Sequence, residues 1–256
     1  MSIERIRSLK GKRKITMLTA YDYQIARILE EAQIDIILVG DSLGMVFQGQ
    51  PDTKQVTMEA MVYHTQVVAR GAKNTLIVSD MPIHSYDTPT QALTNAKQLL
   101  QAGAQAIKIE GNQTAVLSKL RETDIPIMGH VGLLPQTAEE FRVQGKTPQQ
   151  ADKIWRDALA LDEAGVFSIV LECIPEWLAR KITQDVKAPT IGIGAGQHCD
   201  GQVLVVTELL GLVGKDHLPK FVKHYAQLTD IIREAVKEYI DEVIKGKYPE
   251  KKHTYH

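Results

Sequence analysis

A single closed (β/α)8 barrel is the fold the sequence predicts, and three observations predict it. Two hydrophobic periods alternate along the 256 residues, eight apolar runs of strand length recur, and the helical patterns between them stop on small residues and glycine. Eight alternations in about 250 residues is the size of such a barrel. In chain order, the run 15–19 leads into a helical pattern at 23–32, and 36–39 is followed by a pattern at 57–70. The run 76–79 precedes a helix at 90–102, 106–109 one at 114–122, 125–128 one at 148–164, and 168–171 one at 176–184. The runs 190–193 and 203–206 complete the eight, and a long helical pattern over 221–245 closes the chain. Helix stops are written as Arg70-Gly71, Gln101-Ala102-Gly103 and Glu163-Ala164-Gly165, where glycine can take the left-handed C′ conformation. Several strands are almost continuously apolar, as a parallel sheet requires when helices cover it outside and side chains fill it inside.

A doubly wound open sheet is the rival. Its dinucleotide-binding form places G-x-G-x-x-G at the first strand–helix turn, but the turn here is Thr19-Ala20-Tyr21-Asp22-Tyr23, and Gly192-Ile193-Gly194-Ala195-Gly196 comes only after the seventh strand. No composition break, linker, low-complexity tract or long repeat interrupts the chain, so residues 1–256 are expected to form one barrel domain with a C-terminal helix and a short tail. The apolar stripe of that helix, from Val222 through Ile232 and Tyr239 to Ile244, is wider than one barrel wall covers. An eighth barrel helix accounts for its inner face, and a subunit contact for the surplus.

Net charge is −1 with 24% charged residues, which leaves no electrostatic footprint for nucleic acid or an anionic membrane and favours a small neutral or anionic ligand. Cys173 and Cys199 lack C-x-x-C spacing and offer neither a disulfide framework nor a zinc cluster, which fits a reduced compartment. The first 14 residues are basic without an apolar core, and no apolar stretch is long enough to span a bilayer. A cytoplasmic protein is expected, with an organellar one as the alternative.

The chemistry gathers where strands end. Asp41, Asp80, Lys108, Glu110 and Glu172 each follow or flank an apolar run, and on successive strands of a barrel such residues converge on one face. Asp41 and Asp80 suit Mg2+, which wants oxygen ligands and few protein carboxylates when the substrate supplies the remainder; either alone is equally an N-cap or a turn residue. Lys108 and Glu110, two apart, point to the same side of a strand and can reach the barrel mouth, or form a salt-bridged core pair. His130, with Gly129 before it and Gly132 beyond, is a packed strand-end histidine or one placed by close backbone approach. Glu172 lies in an apolar setting that suits a proton acceptor, or serves as a first-turn carboxylate before the helix at 176–184. Gly40-Asp41-Ser42-Leu43-Gly44 matches the nucleophile elbow of serine hydrolases. The late Asp-x-x-His pair such an esterase requires is missing, since Asp216 and His217 are adjacent, and Ser42 is better read as a ligand-binding or helix-capping hydroxyl.

Eight strings in order resemble the 3-methyl-2-oxobutanoate hydroxymethyltransferase family: 17–22 (MLTAYD), 40–45 (GDSLGM), 61–65 (MVYHT), 79–82 (SDMP), 107–111 (IKIEG), 128–133 (MGHVGL), 170–173 (VLEC) and 191–196 (IGIGAG). Each is weak alone; together they are specific. The resemblance implies a TIM barrel of the phosphoenolpyruvate/pyruvate type, Mg2+, 5,10-methylenetetrahydrofolate as one-carbon donor, and a large homo-oligomer, commonly a decamer. It implies Asp41 and Asp80 as direct Mg2+ ligands, with Glu110 in the metal site through water. Ser42, Lys108 and His130 would hold the 2-oxo acid. Glu172 would take the C3 proton of 3-methyl-2-oxobutanoate, giving an enolate that attacks the folate methylene to form 2-dehydropantoate.

Two stretches depart from the family pattern. Glu139-Glu140 stands where relatives carry a glycine pair before Phe141-Arg142-Val143-Gln144-Gly145, in a loop that looks shortened, so folate contacts are expected to differ. Ile83-His84 replaces a Phe-Gly, and His84 is expected to be a structural or surface histidine. A folate-independent lyase or hydrolase of a 2-oxo acid would share the carboxylates, and a non-catalytic metabolite-binding barrel would keep ligand affinity without Glu172. Labelling of Ser42 by a fluorophosphonate would revive the hydrolase.

Overall fold

The computed structural model describes residues 2–213 and 218–255; Asp216 and His217 lie outside the described residues. The chain divides into two compact units, Met1–Val205 and Val206–His256. The first opens with α1 (Ile3–Leu9), β1 (Ile15–Thr19), α2 (Tyr23–Glu31), β2 (Ile36–Val39), α3 (Leu43–Val46), α4 (Met58–Gly71) and β3 (Leu76–Asp80). It continues through α5 (Pro89–Gln101), β4 (Ala106–Lys108), α6 (Thr114–Arg121), β5 (Ile127–Gly132), α7 (Pro148–Glu163), β6 (Ser168–Glu172), α8 (Glu176–Asp185), β7 (Thr190–Ile193) and β8 (Gly201–Leu204). The eight strands form a closed parallel barrel in sequence order, sealed where β8 pairs with β1 with Ile15 opposite Gly201.

Local chemistry sets the helix starts. Thr57, Thr88 and Thr147 each accept a hydrogen bond from the backbone N–H three residues on, and Pro89 and Pro148 occupy the first helical turn, where a missing N–H is harmless. Gly103 and Gly165 adopt the expected positive φ beyond α5 and α7 (+113° and +83°). Gly71 differs: it is the last residue of α4, and its need for no side chain is steric, because a Cβ there would stand 2.5 Å from the Tyr23 carbonyl oxygen.

Three elements move by two or more residues from the sequence expectation. The fifth strand runs Ile127–Gly132 rather than 125–128, since Pro126 has no N–H to give and the ladder continues from Met128 opposite Ser168 to Gly132 opposite Glu172. The eighth strand begins two residues early at Gly201, because Val206 already opens a short helix, α9 (Val206–Leu209). The last helix, α10 (Leu228–Ile244), starts seven residues after the expected 221. The N–H groups of Tyr225 and Leu228 are taken by the carbonyls of Leu209 and Leu210, so the segment before α10 folds back onto its own unit. None of the residues of α10 is buried, and its apolar stripe, which includes Ile232, Val236, Tyr239 and Ile240, is exposed. No helix among the described residues is long and apolar enough to cross a membrane.

Alternation inside the barrel explains where the polar residues go. Leu76 and Val78 of β3, Ala106 of β4, Met128 of β5 and Val170 of β6 belong to one buried cluster, and two residues further along each strand stand Asp80, Lys108, His130 and Glu172. The apolar layer is covered at the opposite end by Ile6 and Leu9 of α1, a helix too short and basic for periodicity to reveal. Hydrocarbon therefore fills the floor and middle of the barrel, and polar groups fill its C-terminal mouth.

Candidate active site

At that mouth the side chains form one connected network. The Lys108 ammonium donates to Asp80 Oδ1 at 2.8 Å, and Asp80 Oδ2 accepts the Asp41 backbone N–H at 3.0 Å. Lys108 therefore pairs with Asp80 rather than with Glu110. Glu110 accepts the Gln136 backbone N–H at 3.1 Å, and its other oxygen lies 3.5 Å from His130 Nδ1. On the far side of the ring, His130 Nε2 is 3.2 Å from Glu172. Neither contact has full hydrogen-bond alignment, and the buried ring stands between the two carboxylates. Asp41, Asp80, Lys108, Glu110 and His130 are buried, and Glu172 is partly open.

Helix capping does not account for Asp41, Asp80 or Glu172, although Asp41 lies in a turn and Lys108 forms a buried ion pair, with Asp80. Asp80 ends β3 eight residues before Thr88, which caps α5, and Asp41 precedes a helix whose cap position is Ser42. Glu172 ends β6 and precedes α8 by four residues, outside its first turn. Ser42 makes no capping bond; its Oγ shares a 2.8 Å hydrogen bond with the Tyr21 hydroxyl. A Cβ on Gly40 would meet Ser42 Oγ at 2.8 Å and Asp80 Oδ2 at 3.6 Å, so the serine sits on the edge of the same cluster. The glycines around His130 do mark close approach: Gly132 takes φ +103°, and a Cβ there would stand 2.2 Å from the Glu172 carbonyl oxygen. That approach binds the end of β5 to the end of β6, where the Leu133 N–H donates to the same carbonyl.

Charge is unbalanced here. Burial, and next the neighbouring Asp80 charge, push the Asp41 carboxyl well above the usual carboxylate range. Burial opposes the Lys108 ammonium, yet Asp80, Asp41 and Glu110 together outweigh it and raise its pKa. His130 is likewise opposed by burial but pushed up to about 9 by Glu110 and Glu172 on either side. The Cys173 thiol is pushed up to about 12 by burial and then by Glu172, which removes it as a nucleophile. Three buried carboxyl groups around a single lysine form an oxygen-rich, electron-rich donor set that suits a hard divalent cation. Among the described residues no group of three or more His, Cys, Asp or Glu is placed so that those side chains alone could hold a metal ion. Mg2+ needs none, because it retains waters and takes one or two carboxylates plus substrate oxygens.

Sequence reasoning missed three residues that hold this network: Tyr21, Tyr86 and Gln136. Tyr86 donates its hydroxyl to the Gln136 side-chain oxygen, and the Gln136 amide nitrogen donates to Asp41 Oδ2 at 2.8 Å and to the Met81 carbonyl at 2.9 Å. Beside the mouth lies a cavity of about 370 Å³ lined by residues from Gly132 to Gln144, including Glu139, Glu140 and Arg142. His84 stands outside, with a largely exposed side chain 3.2 Å from Asp87 and φ +62°, the left-handed backbone that glycine favours.

A closed parallel barrel whose carboxylates, lysine and histidine meet at the strand C-termini is an enzyme architecture, and solved structures place its fold. It is similar to 2,3-dimethylmalate lyase, described as a PEP mutase/isocitrate lyase superfamily member (16% identity, TM-score 0.60, covering 98% of this chain and 91% of that one). It is also similar to a phosphonopyruvate hydrolase solved with oxalate and Mg2+ (14% identity, TM-score 0.65, covering 96% and 88%). Within that fold the chain belongs to the ketopantoate hydroxymethyltransferase family, whose sequence model matches residues 1–251. A 3-methyl-2-oxobutanoate hydroxymethyltransferase of Clostridium beijerinckii is 50% identical over 251 residues, covering 95% of this chain and 91% of the relative.

Proposed function

We propose that the strand-end cluster transfers a hydroxymethyl group from 5,10-methylenetetrahydrofolate to 3-methyl-2-oxobutanoate, giving 2-dehydropantoate and tetrahydrofolate for pantothenate synthesis. The observation that carries this reading is the unbroken chain of contacts from Asp41 through Asp80 and Lys108 on one side and from Glu110 through His130 to Glu172 on the other. Asp41 and Asp80 would hold Mg2+, with Glu110 reaching it through water. When bound, the cation supplies a Lewis acid for the keto and carboxylate oxygens of the substrate.

The protein groups divide the remaining work. Ser42, with its hydroxyl already oriented by Tyr21, and His130, with two unaligned ring nitrogens, bind and orient the oxo acid. Lys108 places a fixed positive charge where negative charge develops on the keto oxygen. Glu172 accepts the C3 proton, and the C–H electron pair becomes the enolate. The enolate carbon bonds to the folate methylene as one of its two C–N bonds breaks, and the Glu172 proton goes to the nitrogen released. Water then replaces the second folate nitrogen on that carbon, supplying the hydroxyl of the new hydroxymethyl group and a proton to the departing nitrogen, which frees tetrahydrofolate. The cavity lined by Leu133, Ala138, Glu139 and Arg142 is where we place the folate, and its acidic and basic rim differs from the glycine pair of relatives.

The test follows C3 proton–deuterium exchange in 3-methyl-2-oxobutanoate by NMR, with Mg2+ and with EDTA, before and after methylenetetrahydrofolate. Mg2+-dependent exchange followed by folate-dependent product is the expected result. Exchange without folate-dependent product would turn the reading to a folate-independent lyase or hydrolase; no exchange and no product would remove it.

We also propose a cytoplasmic homo-oligomer, a decamer by family resemblance, in one-domain subunits that engage neither nucleic acid nor membrane. The two free thiols agree with a reducing compartment, and the open stripe of α10 supports a contact between copies. Changing Ile232 and Tyr239 together to Asp should lower the sedimentation coefficient of the full chain to that of a smaller assembly, and an unchanged coefficient would place the subunit contact elsewhere.

A further inference from the structure

We infer that Gln136 is a positioning residue of the cation site, clamping Asp41 with its side-chain amide and Glu110 with its backbone N–H. One residue of the loop after β5 thereby sets the spacing of two acidic groups carried by the β2 and β4 ends of the barrel. The inference rests on the cation reading proposed above.

The geometry leaves the amide a single orientation. The Met81 carbonyl can only accept, so the amide nitrogen must face it, and the second N–H of that nitrogen then points to Asp41 Oδ2. Tyr86 fixes the opposite end: burial, and next the Glu110 charge, push its phenol upward, so it stays protonated and donates to the amide oxygen. A flipped amide would set its oxygen against two acceptors and its nitrogen against a donor. Every polar atom of this buried side chain is therefore used, and used in one way.

A neutral donor suits this place. Gln136 holds Asp41 through Oδ2, which leaves the other carboxylate oxygen, Oδ1, as the one to face a ligand. A lysine at 136 would cancel the charge that a cation needs, and a glutamate would set a carboxylate against Asp41 and the Met81 carbonyl. Of the groups near Asp41, Lys108 and Gln136 are the ones that favour its ionised form. Glutamine restrains the carboxylate and leaves its charge intact.

Outer partners of metal ligands, when removed, weaken affinity or activity by about 10–100-fold. The experiment titrates Mn2+ into substrate-free wild type, Gln136→Met and Tyr86→Phe, follows the free-ion EPR signal, and checks folding by near-UV circular dichroism. Gln136→Met keeps the backbone bond to Glu110 and should bind Mn2+ about 10–100-fold more weakly while retaining native dichroism. Tyr86→Phe releases only the amide oxygen and should weaken binding by a smaller factor. Folded Gln136→Met with wild-type affinity overturns the inference and leaves the cation reading standing. Should Gln136→Met not fold, Tyr86→Phe decides, with wild-type affinity overturning it. Wild type that removes no Mn2+ from solution overturns the cation reading and the inference with it.

Discussion

Glu172→Gln is expected to slow C3 proton exchange by about 10²–10⁴-fold, the range a positioned base contributes. The substitution is nearly isosteric and changes little else. Glu172 is tied into the fold through its backbone, whose carbonyl accepts the Leu133 N–H and lies against Gly132, while its side chain contributes only the 3.2 Å approach to His130. Binding of the oxo acid in the presence of Mg2+, measured by calorimetry, should therefore persist in the variant. Loss of exchange with retained binding separates a base from a residue that merely holds the substrate. If the variant exchanges the proton at the wild-type rate, the base lies elsewhere, and His130, the group that faces both Glu110 and Glu172, becomes the candidate.

The parts of the fold that hydrophobic period controls were legible before the structure. Strand interiors such as 36–39 and 190–193 are near-continuous apolar runs and coincide with β2 and β7, and the helix at 148–164 begins at the proline that pre-sets its first turn. The misplaced edges have local causes that a period does not encode. His130 lies inside β5, where Pro126 and Gly129 before it and Gly132 after it dilute the apolar signal, and α1 is only about two helical turns, capped by Ser2. The acidic residues of the site were legible because a charge directly after an apolar strand is conspicuous. Gln136, Tyr21 and Tyr86 were not, because an amide or a phenol in a loop looks like any solvated turn residue until the fold buries it. Their importance is a long-range property: Gln136 meets Asp41 across 95 positions of sequence.

The second large effect is on stability, and it has opposite signs at two neighbouring residues. Lys108→Met should destabilise the metal-free protein at neutral pH by about 3–5 kcal/mol, the usual consequence of removing one partner from a buried ion pair. Lys108 and Asp80 are both almost wholly shielded from water, and the ammonium is the group that opposes repulsion among Asp41, Asp80 and Glu110. Asp41→Asn should act in reverse. Because the folded protein raises the Asp41 pKa above its unfolded value, the folded state binds that proton more tightly, and stability falls as pH rises through the interval between the two values. At neutral pH, above its unfolded value, the Asp41 carboxyl therefore weighs against folding. Asparagine removes this penalty while still accepting from Gln136, so the variant should unfold at a higher urea concentration than wild type in EDTA. Its advantage should shrink as acid protonates Asp41 in wild type, and Mg2+ should stabilise wild type but not the variant. Urea unfolding of the three proteins, in EDTA and in Mg2+ at two pH values, checks both signs. Unchanged stability in Lys108→Met, or loss of stability in Asp41→Asn, would mean that the buried charges are already balanced without a cation. The opposite signs follow from one cause: Asp41, Asp80 and Glu110 crowd around Lys108, so removing the lysine leaves carboxyl groups facing one another, while removing the Asp41 charge, or binding the proposed divalent ion, relieves them.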